Sequence, residues 1–196
     1  MKEQKLSLKE LRIDKTWTLF LDRDGVINHK IKGDYVREWT QFKFLPAAKD
    51  AIRILANIFG RIIVVTNQRG VARGLVQPVD LTDIHKRMVQ KLRKAGGRID
   101  EIYVCTHDRH IHCDCRKPKP GLALAAKRDF PSIVFSKSIM IGDGRNDMIF
   151  AKNLKMKSVF IEDYGKLGPR AEKPDFRFNN LYEFASTLKH VRSPWV

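Results

Sequence analysis

Short unbroken apolar runs alternate along the chain with stretches in which apolar residues recur every three or four positions. Trp17-Thr18-Leu19-Phe20-Leu21 and Arg61-Ile62-Ile63-Val64-Val65 are runs of the first kind, and each ends in polar residues. Their length and their content of β-formers predict buried strands. Further strands are expected over 99–104, 138–141 and 158–161. Between the first two runs, Pro46 opens a segment in which Ala48, Ile52, Leu55 and Phe59 fall at helical spacing. Leu81, Ile84, His85, Met88 and Leu92 repeat that spacing after Asp80, the expected N-cap. Helices are also expected over 121–128 and 146–154, and a last strand and helix over 175–178 and 181–188.

This order predicts an α/β fold: a single Rossmann-like doubly wound domain whose mainly parallel sheet is covered on both faces. No repeat, low-complexity tract or Pro/Gly/Ser linker divides the chain, so one domain over 1–196 is expected, with 1–15 as an N-terminal extension. A chain of this size buries roughly 70% of its unfolded surface and needs no disulfide. Trp195, in the 192–196 tail, is expected to pack down.

In such sheets ligands bind outside the carboxyl ends of the strands. Three polar clusters directly follow predicted strands: Asp22-Arg23-Asp24-Gly25, Thr66-Asn67-Gln68 and Gly142-Asp143-Gly144-Arg145-Asn146-Asp147. Two aspartates spaced i, i+2 at the end of a strand can aim a nucleophile and a proton donor at one pocket. A carboxylate attacks phosphorus to form an acyl phosphate that is itself readily hydrolysed, so one hard step becomes two easier ones. Asp24 could protonate the leaving alkoxide and then activate water. Phosphomonoesters are among the slowest substrates to hydrolyse unaided, so such a site also needs positive charge on the phosphoryl oxygens. Magnesium takes one or two carboxylates, waters and phosphate oxygen, which suits Asp22, Asp143 and a backbone carbonyl, with Asp147 standing behind them. Thr66 and a lysine, Lys117 or Lys119, would supply phosphate donors.

These motifs resemble the haloacid dehalogenase superfamily of phosphatases. The resemblance runs through Leu19-Phe20-Leu21-Asp22-Arg23-Asp24-Gly25-Val26-Ile27-Asn28, Val65-Thr66-Asn67-Gln68, Arg116-Lys117-Pro118 and Ile141-Gly142-Asp143-Gly144-Arg145-Asn146-Asp147, in that order. It implies Asp22 as nucleophile, Asp24 as acid and base, Thr66 on phosphate, Lys117 on the aspartyl phosphate, and magnesium at Asp22, Asp24 and Asp143. The gaps between motifs are filled by core elements, so no large cap domain is expected over the site.

All three cysteines fall in Cys105-Thr106-His107-Asp108-Arg109-His110-Ile111-His112-Cys113-Asp114-Cys115. Cys105, His107, Cys113 and Cys115 make a Cys3His set suited to structural zinc, with no open position for catalysis. A disulfide or free thiols are the competing readings, and His110 or His112 could replace His107, which the resemblance favours. Such a zinc-stapled loop over 105–115 would fix Arg116 and Lys117 against the phosphate site.

Thr66 to Gly74, Asp34-Tyr35-Val36, Phe42-Lys43-Phe44-Leu45-Pro46 and the Cys-Asp-Cys-Arg-Lys-Pro run resemble heptose bisphosphate phosphatases within that superfamily. That implies a small phosphorylated sugar as substrate, met by Asn28 and the loop to Gly33, and by Asn67, Gln68, Arg69, Arg116 and Arg145. Histidinol phosphate and other phosphosugars are alternatives. The formal charge of +16 from 38 Lys and Arg against 22 Asp and Glu fits an anionic partner. It keeps open a phosphatase of polynucleotide ends and a non-catalytic anion-binding module, but the basic residues are spread along the whole chain. No signal peptide or membrane span is legible at the N-terminus or elsewhere, so a cytoplasmic protein without membrane contact is expected.

Overall fold

The computed structural model describes residues 7–168 and 172–192. The strands are β1 (Thr18–Leu21), β2 (Arg61–Asn67), β3 (Glu101–Cys105), β4 (Ser138–Gly142), β5 (Lys157–Ile161) and β6 (Phe176–Phe178). They form one sheet in the order β3-β2-β1-β4-β5-β6, with every pair parallel. The helices are α1 (Ala48–Ile58), α2 (Pro78–Lys94), α3 (Gly121–Asp129), α4 (Arg145–Asn153) and α5 (Leu181–Arg192). This is the expected single doubly wound domain.

Period-two alternation sends successive strand residues to opposite faces. Leu19 and Leu21, Ile62 and Val64, and Ile139 and Ile141 enter the larger core, against Ile52 and Leu55 of α1, Ile84 and Met88 of α2, and Phe184 of α5. Phe20, Ile63, Val65 and Met140 enter the other, against Leu122 and Ala126 of α3 and Phe150 of α4. Both faces are therefore covered, which is why these strands read as continuous apolar runs rather than alternating ones. Each fully buried Leu, Ile or Phe contributes roughly 1.5–3 kcal/mol relative to exposure. Leu8 and Ile13 join the larger core, so the described part of the N-terminal extension is packed against the domain.

Several boundaries differ from expectation. The second helix starts at Pro78 with Gln77 as N-cap, so Asp80 lies in the first turn and does not cap; proline is preorganised for the first helical position, where its missing N–H costs nothing. Ala47 adopts φ +54° and the first helix begins at Ala48. The third strand runs over Glu101–Cys105, beginning after the backbone N–H of Ile62 has bonded the Asp100 side chain. Trp195 lies outside the described residues. Among those residues no helix is long and apolar enough to cross a membrane.

Candidate active site

The sheet order reverses at β1: the chain moves to β2 and β3 on one side and to β4, β5 and β6 on the other. The crevice at such a switch point is the expected ligand position. Asp22 follows β1, Thr66 lies in β2 and Asp143 follows β4, so the three polar clusters meet there. Asp22 continues the ladder through its N–H to Ile141 O, 2.9 Å. The loop then tightens at Gly25, which has φ +84° and whose N–H reaches Asn28 O at 2.8 Å. A Cβ at Gly25 would sit 2.0 Å from Asp143 Oδ2, so glycine is required by both conformation and space. Gly142 is pinched likewise, since a Cβ there would sit 2.2 Å from Asp147 Cβ.

Asp22, Asp143 and Asp147 bring carboxylate oxygens within 4.8 Å of one another. Lys117, 2% exposed, places Nζ 2.6 Å from Asp147 Oδ1 and 3.1 Å from Asp22 Oδ1. Both contacts are ion pairs, and the two carboxylates favour the charged form of Lys117 against its burial. Asp147 also accepts from Gly144 N–H at 3.2 Å, so each of its oxygens is engaged at the start of α4. Burial pushes the Asp22 carboxyl up to about 6, with Asp147 and Asp24 adding to it against the pull of Lys117 and Lys30. Burial, then Asp22 and Asp147, push Asp143 up to about 7 although Lys30 opposes them. Asp143 Oδ1 is buried without a hydrogen-bond partner. Crowded all-oxygen donors with under-compensated charge and an orphaned oxygen fit a hard divalent cation.

Asp24 sits in a different setting. Arg23, fully buried, holds it through Nη2 at 2.9 Å and 3.0 Å. Asn28 Nδ2 donates to Oδ1 at 2.8 Å and Gln68 Nε2 to Oδ2 at 2.8 Å. Burial opposes ionisation, but Arg23, Asn28 and Gln68 outweigh it and keep the carboxyl below its usual range. The expectation of Asp24 as a magnesium ligand therefore does not extend to its side chain, whose oxygens are both engaged. Arg23 in turn lies 3.1 Å from His85 Nε2 on α2.

The residues expected at the substrate divide into two groups. Asn67 accepts from Lys117 N–H and donates to Lys117 O, both at 3.1 Å, so its amide pins the lysine backbone. Gln68 is buried and donates to Asp24 and, at 2.9 Å, to Thr66 Oγ1. Asn28 is buried beneath Asp24. These three brace the site rather than face an open ligand position. Arg145 is exposed, Arg116 Nη1 donates to His107 O at 3.3 Å, and Arg69 pairs with Asp108 at 3.0 Å. Arg109, Ile111, His112, Arg116, Lys117, Lys119 and Asn146 line a cavity of about 530 Å³ beside them.

The cysteine loop supplies a second cluster. Cys105, His107, Cys113 and Cys115 place their ligand atoms within 4.8 Å of one another, and His110 and His112 lie outside the group. Cys105 Sγ is 3.7 Å from His107 Nδ1 and 3.8 Å from Cys113 Sγ, and His107 Nδ1 is 3.1 Å from Cys115 Sγ. Tetrahedral zinc with bonds of about 2.0–2.3 Å sets its ligands roughly 3.3–3.8 Å apart. The thiols are free; the two separations from Cys105 match that spacing and the one between His107 and Cys115 is slightly shorter. Lys119 Nζ donates to Cys113 O at 2.8 Å, so of the two candidate lysines it is Lys117 that reaches Asp22.

Arg23, His85 and Lys30 were not singled out from sequence. The available signals were His85 on the apolar face of its helix and the place of Lys30 in the loop from Asn28 to Gly33, which is expected at the substrate.

A family profile described as HAD-hydrolase-like matches residues 114–184. A D-glycero-α-D-manno-heptose-1,7-bisphosphate 7-phosphatase of Mycobacterium bovis is 42% identical over 181 residues, covering 90% of this chain and 93% of that protein. The chain belongs to the haloacid-dehalogenase-like phosphatases. It is a phosphoric monoester hydrolase. A D-glycero-β-D-manno-heptose-1,7-bisphosphate 7-phosphatase of Escherichia coli K12 is 34% identical, over 90% of this chain and 95% of the relative. A D,D-heptose 1,7-bisphosphate phosphatase from B. bronchiseptica, crystallised with magnesium and phosphate, superposes with a TM-score of 0.80 at 27% identity. That match covers 89% of this chain and 98% of the other.

Proposed function

We propose that this haloacid-dehalogenase-like phosphatase removes the 7-phosphate of D-glycero-α-D-manno-heptose 1,7-bisphosphate. The observation that supports this substrate is the cavity of about 530 Å³ whose lining includes Lys117, Arg116, Arg109 and Lys119. A bisphosphate needs a second anion-binding wall beside the reacting phosphate, and the cations lining this cavity support that reading. The 42% identity to the α-anomer relative, against 34% to the β-anomer one, favours the α anomer.

In the first half-reaction an Asp22 carboxylate oxygen attacks phosphorus. The bond from phosphorus to the sugar oxygen breaks, and that oxygen takes a proton from Asp24. In the second, water attacks the phosphorus of the aspartyl phosphate, gives its proton to Asp24, and Asp22 leaves as carboxylate. Lys117 and Thr66 hold the phosphoryl oxygens. Magnesium held by Asp22 and Asp143 would supply further positive charge to those oxygens. Arg23, Asn28 and Gln68 orient Asp24 and favour its carboxylate form, the form that accepts a proton from water. The substrate's own negative charge beside it raises its proton affinity for the first step. Zinc held by Cys105, His107, Cys113 and Cys115 would fix the loop that carries Arg116 and Lys117.

The test is phosphate release with magnesium from both heptose 1,7-bisphosphate anomers, histidinol phosphate, other phosphosugars and a 5′-phosphorylated oligonucleotide. The α-heptose bisphosphate should give the highest kcat/KM. Preference for another compound would keep the mechanism and sink this substrate; preference for the oligonucleotide would point to the +16 surface as the substrate-binding feature.

A further inference from the structure

Lys30 reaches the carboxylate cluster from the loop after β1, and the reaction above makes no use of it. Its Nζ forms an ion pair with Asp143 Oδ2. Asp22 and Asp147 also act on its charge. The stem crosses the loop glycine, its Cε 3.1 Å from where a Cβ on Gly25 would lie. The two partners differ in freedom: the Asp143 side chain is 1% exposed and that of Lys30 is 45% exposed. One is fixed in the crevice, and the other carries a compact charge on a flexible stem with water at its back.

Charge balance gives this contact a role. Among the described residues, the ammonium groups paired with Asp22, Asp143 and Asp147 are Lys117 and Lys30. Lys117 is buried and tied by its backbone to Asn67, so it cannot leave. Lys30 can. A divalent cation arriving at Asp143 meets an ammonium already on Oδ2, whereas Oδ1 is buried without a partner.

We propose that Lys30 is a tethered cation that competes with the divalent metal for Asp143 and is displaced into solvent when the metal binds. Its effect is to keep the three carboxylates compensated before loading and to weaken metal affinity. This rests on the reading of Asp22 and Asp143 as magnesium ligands.

Isothermal titration calorimetry of the full chain, stripped of magnesium, tests it with Mg2+ as the probe, on wild type, Lys30→Gln, Lys30→Met and Asp143→Asn. Both Lys30 variants should bind Mg2+ several-fold tighter, on the order of threefold to tenfold, as expected for release from a half-exposed ion pair. Without magnesium both should melt at a lower temperature than wild type, and the rise in melting temperature on adding magnesium should be larger. Equal or weaker Mg2+ binding in both variants overturns the proposal while leaving the metal site in place. No Mg2+ binding in wild type, or undiminished binding in Asp143→Asn, removes the metal reading itself and the role of Lys30 with it.

Discussion

Asp22 and Asp24 stand two residues apart and live in opposite surroundings. Asp24 has a guanidinium and two amides on its oxygens and is held below the usual carboxylate range. Asp22 faces two further carboxylates, with Lys117 only partly offsetting burial, and is pushed up to about 6. Neighbouring carboxylates whose environments drive them apart are assigned different chemistry. On the proposed mechanism the saturated one serves geometry and proton transfer, and the under-compensated one binds a cation and attacks phosphorus.

The largest expected break in this comparison is Asp22→Asn, which should lower kcat by about 10⁴-fold or more, since an amide is no nucleophile towards phosphorus. Asp24→Asn should cost about 10²–10⁴-fold, the range of general acid–base catalysis, and should slow decay of the phosphorylated enzyme. Equal losses with no trapped intermediate would erase the division of labour. Next is the cage itself: Arg23→Met leaves Asp24 without its cation and should destabilise the fold by about 3–5 kcal/mol in urea unfolding. If zinc fixes the loop that carries Arg116 and Lys117, stripping the cysteine cluster with a zinc chelator should reduce activity by roughly 10–100-fold while leaving the parallel sheet's circular dichroism intact.

The smallest effect is a pH dependence at the outer end of the cage. Burial, then the Arg23 guanidinium, push His85 down from 6.5 to about 3, with Asp24 pulling the other way. Between those values the unfolded chain binds a proton that the folded chain refuses. Stability from this residue is therefore full above pH 6.5 and falls as pH drops through the window. His85→Gln should flatten that fall in thermal melts from pH 7 to pH 4.

The strands at the switch point were legible because burial on both faces writes them as unbroken apolar runs, as in Leu19-Phe20-Leu21 and Ile62-Ile63-Val64-Val65. The convergence of Asp22, Thr66, Lys117 and Asp143 follows from the order of strands and polar ends. The supporting contacts were not legible. Spacing along a chain does not reveal that Arg23 would be buried, that a histidine from α2 would meet it, or that Asn67 and Gln68 would turn inward to Lys117 and Asp24. Those partners come from elements 40 or more residues away, and only the packed fold brings them into reach. Lys30 is similar: its contact with Asp143 spans 113 positions and depends on the absence of a side chain at Gly25.

The central claim, that Asp22 carries the phosphoryl group, is tested most directly by acid quenching during turnover with heptose 1,7-bisphosphate, followed by mass spectrometry of the peptide that contains Asp22. A phosphoryl adduct on Asp22, accumulating in Asp24→Asn and absent from Asp22→Asn, is the predicted result. An adduct on another residue, or turnover in Asp22→Asn at the wild-type rate, would contradict it.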